Sequence, residues 1–160
     1  MIDLTLICVG RNKEKYFQDA ASEYIKRMVP FCRVSVIEVS EVRLSASPSE
    51  KEIRSALREE AESIKKIINR EQFVIALCVE GKKLSSSGFS DVLMKAFVSG
   101  KSRLVFVIGG SFGLAEEIKN TADLRLSISD MTFPHHLVRV MLLEQIYRSF
   151  SILNGTKYNK

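Results

Sequence analysis

Over residues 1–130 the chain alternates short unbroken apolar runs with longer stretches in which apolar positions recur every three or four residues. The first run, LTLICVG at 4–10, predicts a strand. KEKYFQDAASEYIKRM at 13–28 predicts a helix, because Phe17, Ala20, Ala21, Tyr24, Ile25 and Met28 then share one face. VSVIEVS at 34–40 is a second strand; after a charged loop, Ser47-Pro48-Ser49 opens a long helix to about residue 69, with Pro48 in its first turn. QFVIALCVEG at 72–81 and RLVFVIGG at 103–110 are apolar almost throughout, as strands covered on both faces of a parallel sheet are. FSDVLMKAFVSG at 89–100 fits a crossover helix between them, AEEIKNTA at 115–122 a short helix, LRLSIS at 124–129 a last strand, and residues 135 to about 153 a closing helix. There is no internal repeat, low-complexity tract or linker. The pattern predicts a single α/β domain over residues 1–160, a mostly parallel sheet with helices on both faces.

The closing helix breaks the amphipathic rule. It is apolar around most of its circumference yet carries Arg139, Glu144 and Arg148. Such a helix has to be covered on several sides, either at the centre of a monomer or between its own sheet and a partner chain. A buried charge without a partner is costly, so Arg139 should either pair with Glu144 or an Asp of the preceding loop, or face a site. The same charges cut the longest apolar stretches well below the roughly 20 residues of a membrane span.

Composition adds two points. Cys8, Cys32 and Cys78 are odd in number, far apart and set in apolar runs, which suggests core thiols rather than disulfides or a metal site. With no basic leader ahead of MIDLTLICVG, a soluble cytoplasmic chain is expected. Residues 131–160 hold four basic side chains and one acidic, so +3 of the net +5 sits at one end, compatible with a polyanionic partner touched there.

Ligands in open α/β sheets bind beyond the carboxyl ends of the strands. Three loops qualify: Cys78-Val79-Glu80-Gly81, Gly109-Gly110-Ser111-Phe112-Gly113, and Ser127 to Pro134. The glycine-rich loop lacks both G-x-G-x-x-G spacing and a G-K-[ST] motif, which argues against a nucleoside triphosphate site. It is either a tight strand-to-helix turn or a place where a ligand meets bare backbone.

FVIGGSFGL, followed by LSISDMTFPHHLVRVMLLEQIYRSFSI and a short tail ending KYNK, resembles the RlmH family of SPOUT-class ribosomal RNA methyltransferases. The resemblance spans the chain: LICVGR matches the family's first strand, and LCVEGK lies at its Leu-Asp-x-x-Gly-Lys strand end. It implies a SPOUT fold whose C-terminal region, about 103–160, is tied in a trefoil knot, and a homodimer packed across the closing helices. It also implies methylation of N3 of a pseudouridine in helix 69 of 23S rRNA on assembled ribosomes, with S-adenosyl-L-methionine as donor and no metal. The cofactor-binding residues so implied are Leu77, Gly109, Gly110, Ile128, Ser129, Asp130, Met131, Thr132 and Phe133.

The implied catalytic set is Arg139, His135, Tyr158 and Asn159. Arg139 would contact RNA phosphate or the donor's carboxylate. His135 either caps the loop before it or serves the reaction, while His136 falls where the family varies. Tyr158, with Lys157 and Lys160, offers a stacking ring between cations. Two departures stand out. Asn159 replaces the family's tail histidine and has no nitrogen of useful basicity, and Cys78 replaces an Asp. They leave open a second reading, a ribosome-binding relative with reduced or lost turnover.

Overall fold

The computed structural model describes residues 1–158. In chain order it contains β1 (Ile2–Val9), α1 (Lys15–Met28), β2 (Cys32–Val39), α2 (Glu50–Lys65), β3 (Phe73–Lys83), α3 (Ser86–Val98), β4 (Arg103–Ile108), α4 (Glu116–Thr121), β5 (Leu124–Ser127) and α5 (His135–Leu153). The five strands form one sheet in the order β2-β1-β4-β3-β5, and every pairing is parallel.

Strand alternation assigns each apolar residue to one of two cores. Leu4, Leu6 and Cys8 of β1, with Leu104 and Phe106 of β4, face the layer of α1, α3 and α5, where Met28, Leu93, Leu142 and Ile146 meet them. Ile7, Val9, Val105 and Val107 face the opposite way, onto Ala61 and Ile64 of α2 and Ile118 of α4. That double coverage is why β4 from Leu104, and β1 from Leu6 onward, are apolar without interruption.

Local chemistry moves two boundaries from their expected places. Helix α2 starts at Glu50, with Pro48 outside its first turn, because Ser49 is the N-cap: its side chain accepts from the Glu52 N–H while the Glu52 carboxylate takes the Ser49 N–H. Strand β3 runs past its expected end to Lys83, because pairing with β5 resumes at Lys82↔Leu126 after a register shift that follows Leu77. Residues 78–81 are thereby pushed out of the ladder.

Helix α5 packs against both α1 and α3. Within a single chain none of its residues is exposed; all are buried or half-buried, so the chain covers this helix more completely than expected. Val140, Met141, Glu144 and Gln145 line a groove of about 590 Å³ with Tyr24, Leu84 and Phe89. The three charges are all engaged. Arg139 is 4% exposed and pairs with Glu38 of β2, at 2.8 Å, in place of Glu144 or a loop Asp. Glu144 binds Arg148 four residues on, at 2.5 Å. No helix among the described residues is long and apolar enough to cross a membrane.

Candidate active site

The carboxyl ends of β3, β4 and β5 open onto a cavity of about 840 Å³, within the size range of small-molecule sites. The register shift in β3 supplies one wall, Cys78, Val79 and Glu80; the loop after β4 supplies Gly109 to Gly113; the loop after β5 and the start of α5 supply the rest, through Val138. Of the nine residues expected to bind a cofactor, Leu77, Gly109, Gly110, Ile128, Ser129, Met131, Thr132 and Phe133 line this space. Asp130 does not; its carboxylate is tied to Lys83 at 2.5 Å on the exposed side of the loop. Ser129 shapes that loop, its hydroxyl accepting from the Met131 N–H and its carbonyl accepting from Ser127 Oγ.

Bare backbone is required at Gly109. A Cβ there would stand 2.3 Å from the carbonyl oxygen of Gly113, inside the turn closed by the Gly110–Gly113 bridge. Gly110 differs, because its Cβ would meet the Glu41 carboxylate, which accepts the Ser111 N–H at 2.9 Å. Glu41, on the loop after β2, thus braces the glycine turn from behind. Nothing in its local sequence marks it, since the contact spans 70 residues. Lys119 is a second lining residue the sequence pattern does not reveal; it reaches the wall from α4 and is bound by Glu80.

His135 and His136 also line the cavity. Their Nε2 atoms are 3.0 Å apart, so one ring donates to the other, and the rings meet edge to face. Burial lowers the pKa of both, reinforced by the nearby Arg139 cation and, for His136, by its neighbour. Both rings are therefore neutral at physiological pH.

The other expected catalytic residues lie elsewhere. Arg139 lines a separate groove of about 350 Å³ and donates to Glu38 and to the carbonyls of Gly10 and Val9. Tyr158 packs edge-on against Tyr147 and donates to Glu144; burial first, then Tyr24 and Glu144, push its hydroxyl up to about 12. Its partners Glu144 and Tyr147 lie six and nine residues past Val138, the last cavity-lining residue of α5, about 9 and 13.5 Å along the axis, so Tyr158 stands beyond the end of its own chain's cavity. Asn159 and Lys160 lie outside the described residues. Among the described residues no group of three or more His, Cys, Asp or Glu is placed to hold a metal ion.

Cys78 is half-buried at the cavity wall, whereas Cys8 and Cys32 are buried, each with its thiol pushed up to about 11 by that burial. A maleimide should therefore label Cys78 alone in the native protein and all three after denaturation, and a ligand filling the cavity should slow the native reaction. Labelling of Cys8 or Cys32 at the same rate would show that the sheet opens more readily than its packing allows.

A family model described as a predicted SPOUT methyltransferase matches residues 2–159. The chain is 44% identical to the ribosomal RNA large subunit methyltransferase H of Streptococcus equi subsp. zooepidemicus, covering 98% of this chain and 99% of the relative. It is 43% identical to the protein of the same name from Acetivibrio thermocellus, over the same shares. Among solved structures, a probable methylase family protein from Haemophilus influenzae Rd KW20 superposes with a TM-score of 0.53 over 99% of this chain and 70% of that one; at 16% identity this speaks to the fold alone.

Proposed function

The chain belongs to the SPOUT methyltransferase family and, within it, to the ribosomal RNA large subunit methyltransferases H. From that premise we propose that it transfers a methyl group from S-adenosyl-L-methionine to N3 of a pseudouridine in helix 69 of 23S rRNA. It acts in the cytoplasm, on assembled ribosomes, as a homodimer. The observation that carries this reading is the convergence of three distant loops, after β3, β4 and β5, on one cavity with a bare glycine wall.

The residues present fit the donor. The cavity is roomy enough for a nucleoside joined to an amino acid, Leu77, Ile128 and Phe133 offer apolar cover for a purine, and Gly109 lets a ligand approach the backbone. When bound, the donor supplies an electrophilic methyl on a sulfonium. The protein's task is alignment, exclusion of water and disposal of the imide proton. The rim residues Phe112, 48% exposed, and Met131, 72% exposed, are positioned to close over a bound molecule. The neutral His135–His136 pair is a group on the wall able to take a proton, the carboxylate of Glu80 there being held ionised by Lys119, which lowers its pKa. Because its pKa values are lowered, the acidic limb of the transfer rate should lie below the 6.5 of an ordinary imidazole, with activity falling as pH drops through it. A limb at or above that value would remove the pair from the reaction.

The knot is part of the same proposal, with α5 threaded beneath the two loops that wall the cavity. So is the dimer. Tyr158 is held by Glu144 and Tyr147, about 9 and 13.5 Å along α5 beyond the Val138 end of its own cavity, so we assign a tail that serves the reaction to a partner's cavity. The groove along Val140 and Met141 is the surface left for that partner. Two inactive variants test this together: one carrying Gly109→Ala, and one lacking residues 156–160. Mixed and allowed to exchange subunits, they should regain about a quarter of the wild-type incorporation of tritiated methyl into ribosomes, since each mixed dimer holds one intact cavity facing one intact tail. No recovery, with exchange verified, would place the tail's action in its own chain. No incorporation by the wild type would overturn the function itself.

A further inference from the structure

The segment RNKEKYF, residues 11–17, spans the loop after β1 and the first turn of α1 and has no part in the cavity. It packs three cations and two aromatic rings into seven positions. Arg11, Lys13 and Lys15 are exposed, Lys15 being held by Asp19 at 3.2 Å. Tyr16 is 64% exposed. Its ring lies 4.6 Å from that of Phe17, Phe17 lies 6.4 Å from His136, and His136 lies 4.1 Å from His135. Four rings thus run in sequence from open solvent to the cavity wall that the two histidines form.

Beside this row is the groove of about 350 Å³ between β1, β2, α1 and α5. Its polar lining is Arg11, Asn12, Gln18, Glu38 and Arg139, so cations outnumber anions two to one. Two buried atoms of that lining, Arg139 Nε and Asn12 Oδ1, have no hydrogen-bond partner among the described residues. One is a donor and the other an acceptor. Leaving both unmade is costly, and both are closed to solvent in the empty groove, so a ligand that accepts and donates would meet them once the Arg139 and Asn12 side chains turn toward it. A ribose-phosphate unit is such a ligand: its phosphate oxygens accept, and its 2′-hydroxyl both donates and accepts.

We propose that residues 11–17 and this groove form a docking track for single-stranded RNA flanking the target nucleotide. Unpaired bases stack on Tyr16 and Phe17, and the sugar-phosphate chain runs past Arg11, Lys13 and the groove. The proposal rests on the reading of the chain as an rRNA methyltransferase and adds where the RNA lies. Single-stranded RNA fits better than a duplex because an exposed ring can stack only on a base whose face is free. Charge complementarity agrees, since the exposed cations Arg11, Lys13 and Lys15 precede the rings against a single anion there, Glu14.

The test uses the full-length protein with a fluorescein-labelled helix 69 hairpin, read by anisotropy, alongside methyl transfer to ribosomes and donor titration. Tyr16→Ala should weaken hairpin binding by about tenfold or more, the loss of one base–aromatic stack, with donor affinity and melting temperature unchanged. Tyr16→Phe should restore it. Arg11→Ala with Lys13→Ala should flatten the dependence of log affinity on log salt by about 0.7 for each phosphate that is no longer neutralised. Wild-type hairpin affinity in Tyr16→Ala, with the wild type active on ribosomes, would overturn the track and leave the function standing. Loss in the charge variant alone would reduce the surface to diffuse attraction and overturn the stacking. Variants that bind the hairpin normally but fail on ribosomes would assign the surface to a ribosomal protein instead. A wild type that neither binds nor methylates RNA would remove the functional reading, and the track with it.

Discussion

Gly109→Ala is expected to abolish binding of S-adenosyl-L-methionine. The three atoms nearest the added methyl are all backbone of Gly113, at 2.3, 2.4 and 2.9 Å, and backbone cannot swing aside as a side chain can. The turn would have to open, breaking the Gly110–Gly113 bridge and shifting the wall that carries Ser111 and Phe112. Overpacking of this kind costs about 1–3 kcal/mol, so the chain should fold with a lowered melting temperature. Because the turn relaxes open in the free chain and returning it to the shape that receives the donor costs up to about 3 kcal/mol, calorimetric titration should show affinity reduced by about a hundredfold. Gly110→Ala is the control. Its methyl meets the end of a flexible side chain, Glu41 Oε1 at 2.5 Å, and turning Glu41 away forfeits only the Ser111 hydrogen bond, about 1 kcal/mol. Gly110 also has no positive φ, so the substitution strains no dihedral. Equal effects at the two glycines would mean that the turn is softer than its geometry.

Arg139→Met should cost about 2 kcal/mol, between the values for surface and fully buried pairs, because Glu38 is 36% exposed while Arg139 is almost wholly enclosed. Methionine keeps the stem's packing but strands the carbonyl of Gly10, which the guanidinium reaches at 2.6 Å, and the Glu38 carboxylate. The melting temperature should fall by about 6 °C for a domain of this size. The loss should also depend on pH. Burial raises the pKa of Glu38, but its bonds from the Asn12 N–H and Arg139, with the Arg139 charge, outweigh this and hold it below 4.5. Stability from the pair is thus present above that value and lost as pH falls through the depressed one, so the difference between wild type and Arg139→Met should shrink in acid. An arginine acting only on substrate would leave the melting curve unchanged and lower the rate. That result would refute the anchoring role.

Most of the fold was legible because the strands declare themselves. Leu6 to Val9 and Leu104 to Ile108 are buried on both faces and so read as unbroken apolar runs. The site was legible where chain order brings loops to one end of the sheet. What escaped depends on contacts between distant segments. The Lys82↔Leu126 pairing that pushes out Cys78 to Glu80 requires β5 to lie beside β3. The partner of Arg139 is 101 residues away, and no periodicity within α5 could name Glu38. Asp130 matched the expected motif by position, yet its side chain turns to Lys83, a contact 47 residues away in the sequence. The closing helix does need cover on several sides, as its apolar circumference implies, but α1, α3 and the sheet supply more of it than composition suggests.

The central claim, methyl transfer to N3 of a pseudouridine in helix 69, is tested most directly by mass spectrometry of that RNA segment. Ribosomes lacking the methyl group are incubated with the purified protein and S-adenosyl-L-methionine, and the helix 69 fragment is excised and sequenced by mass. The account predicts one added methyl on a pseudouridine base, placed on N3 by its fragmentation, and none with Gly109→Ala. An unmodified fragment after incubation with a protein shown to bind the donor, or a methyl on a ribose or another nucleotide, would contradict it.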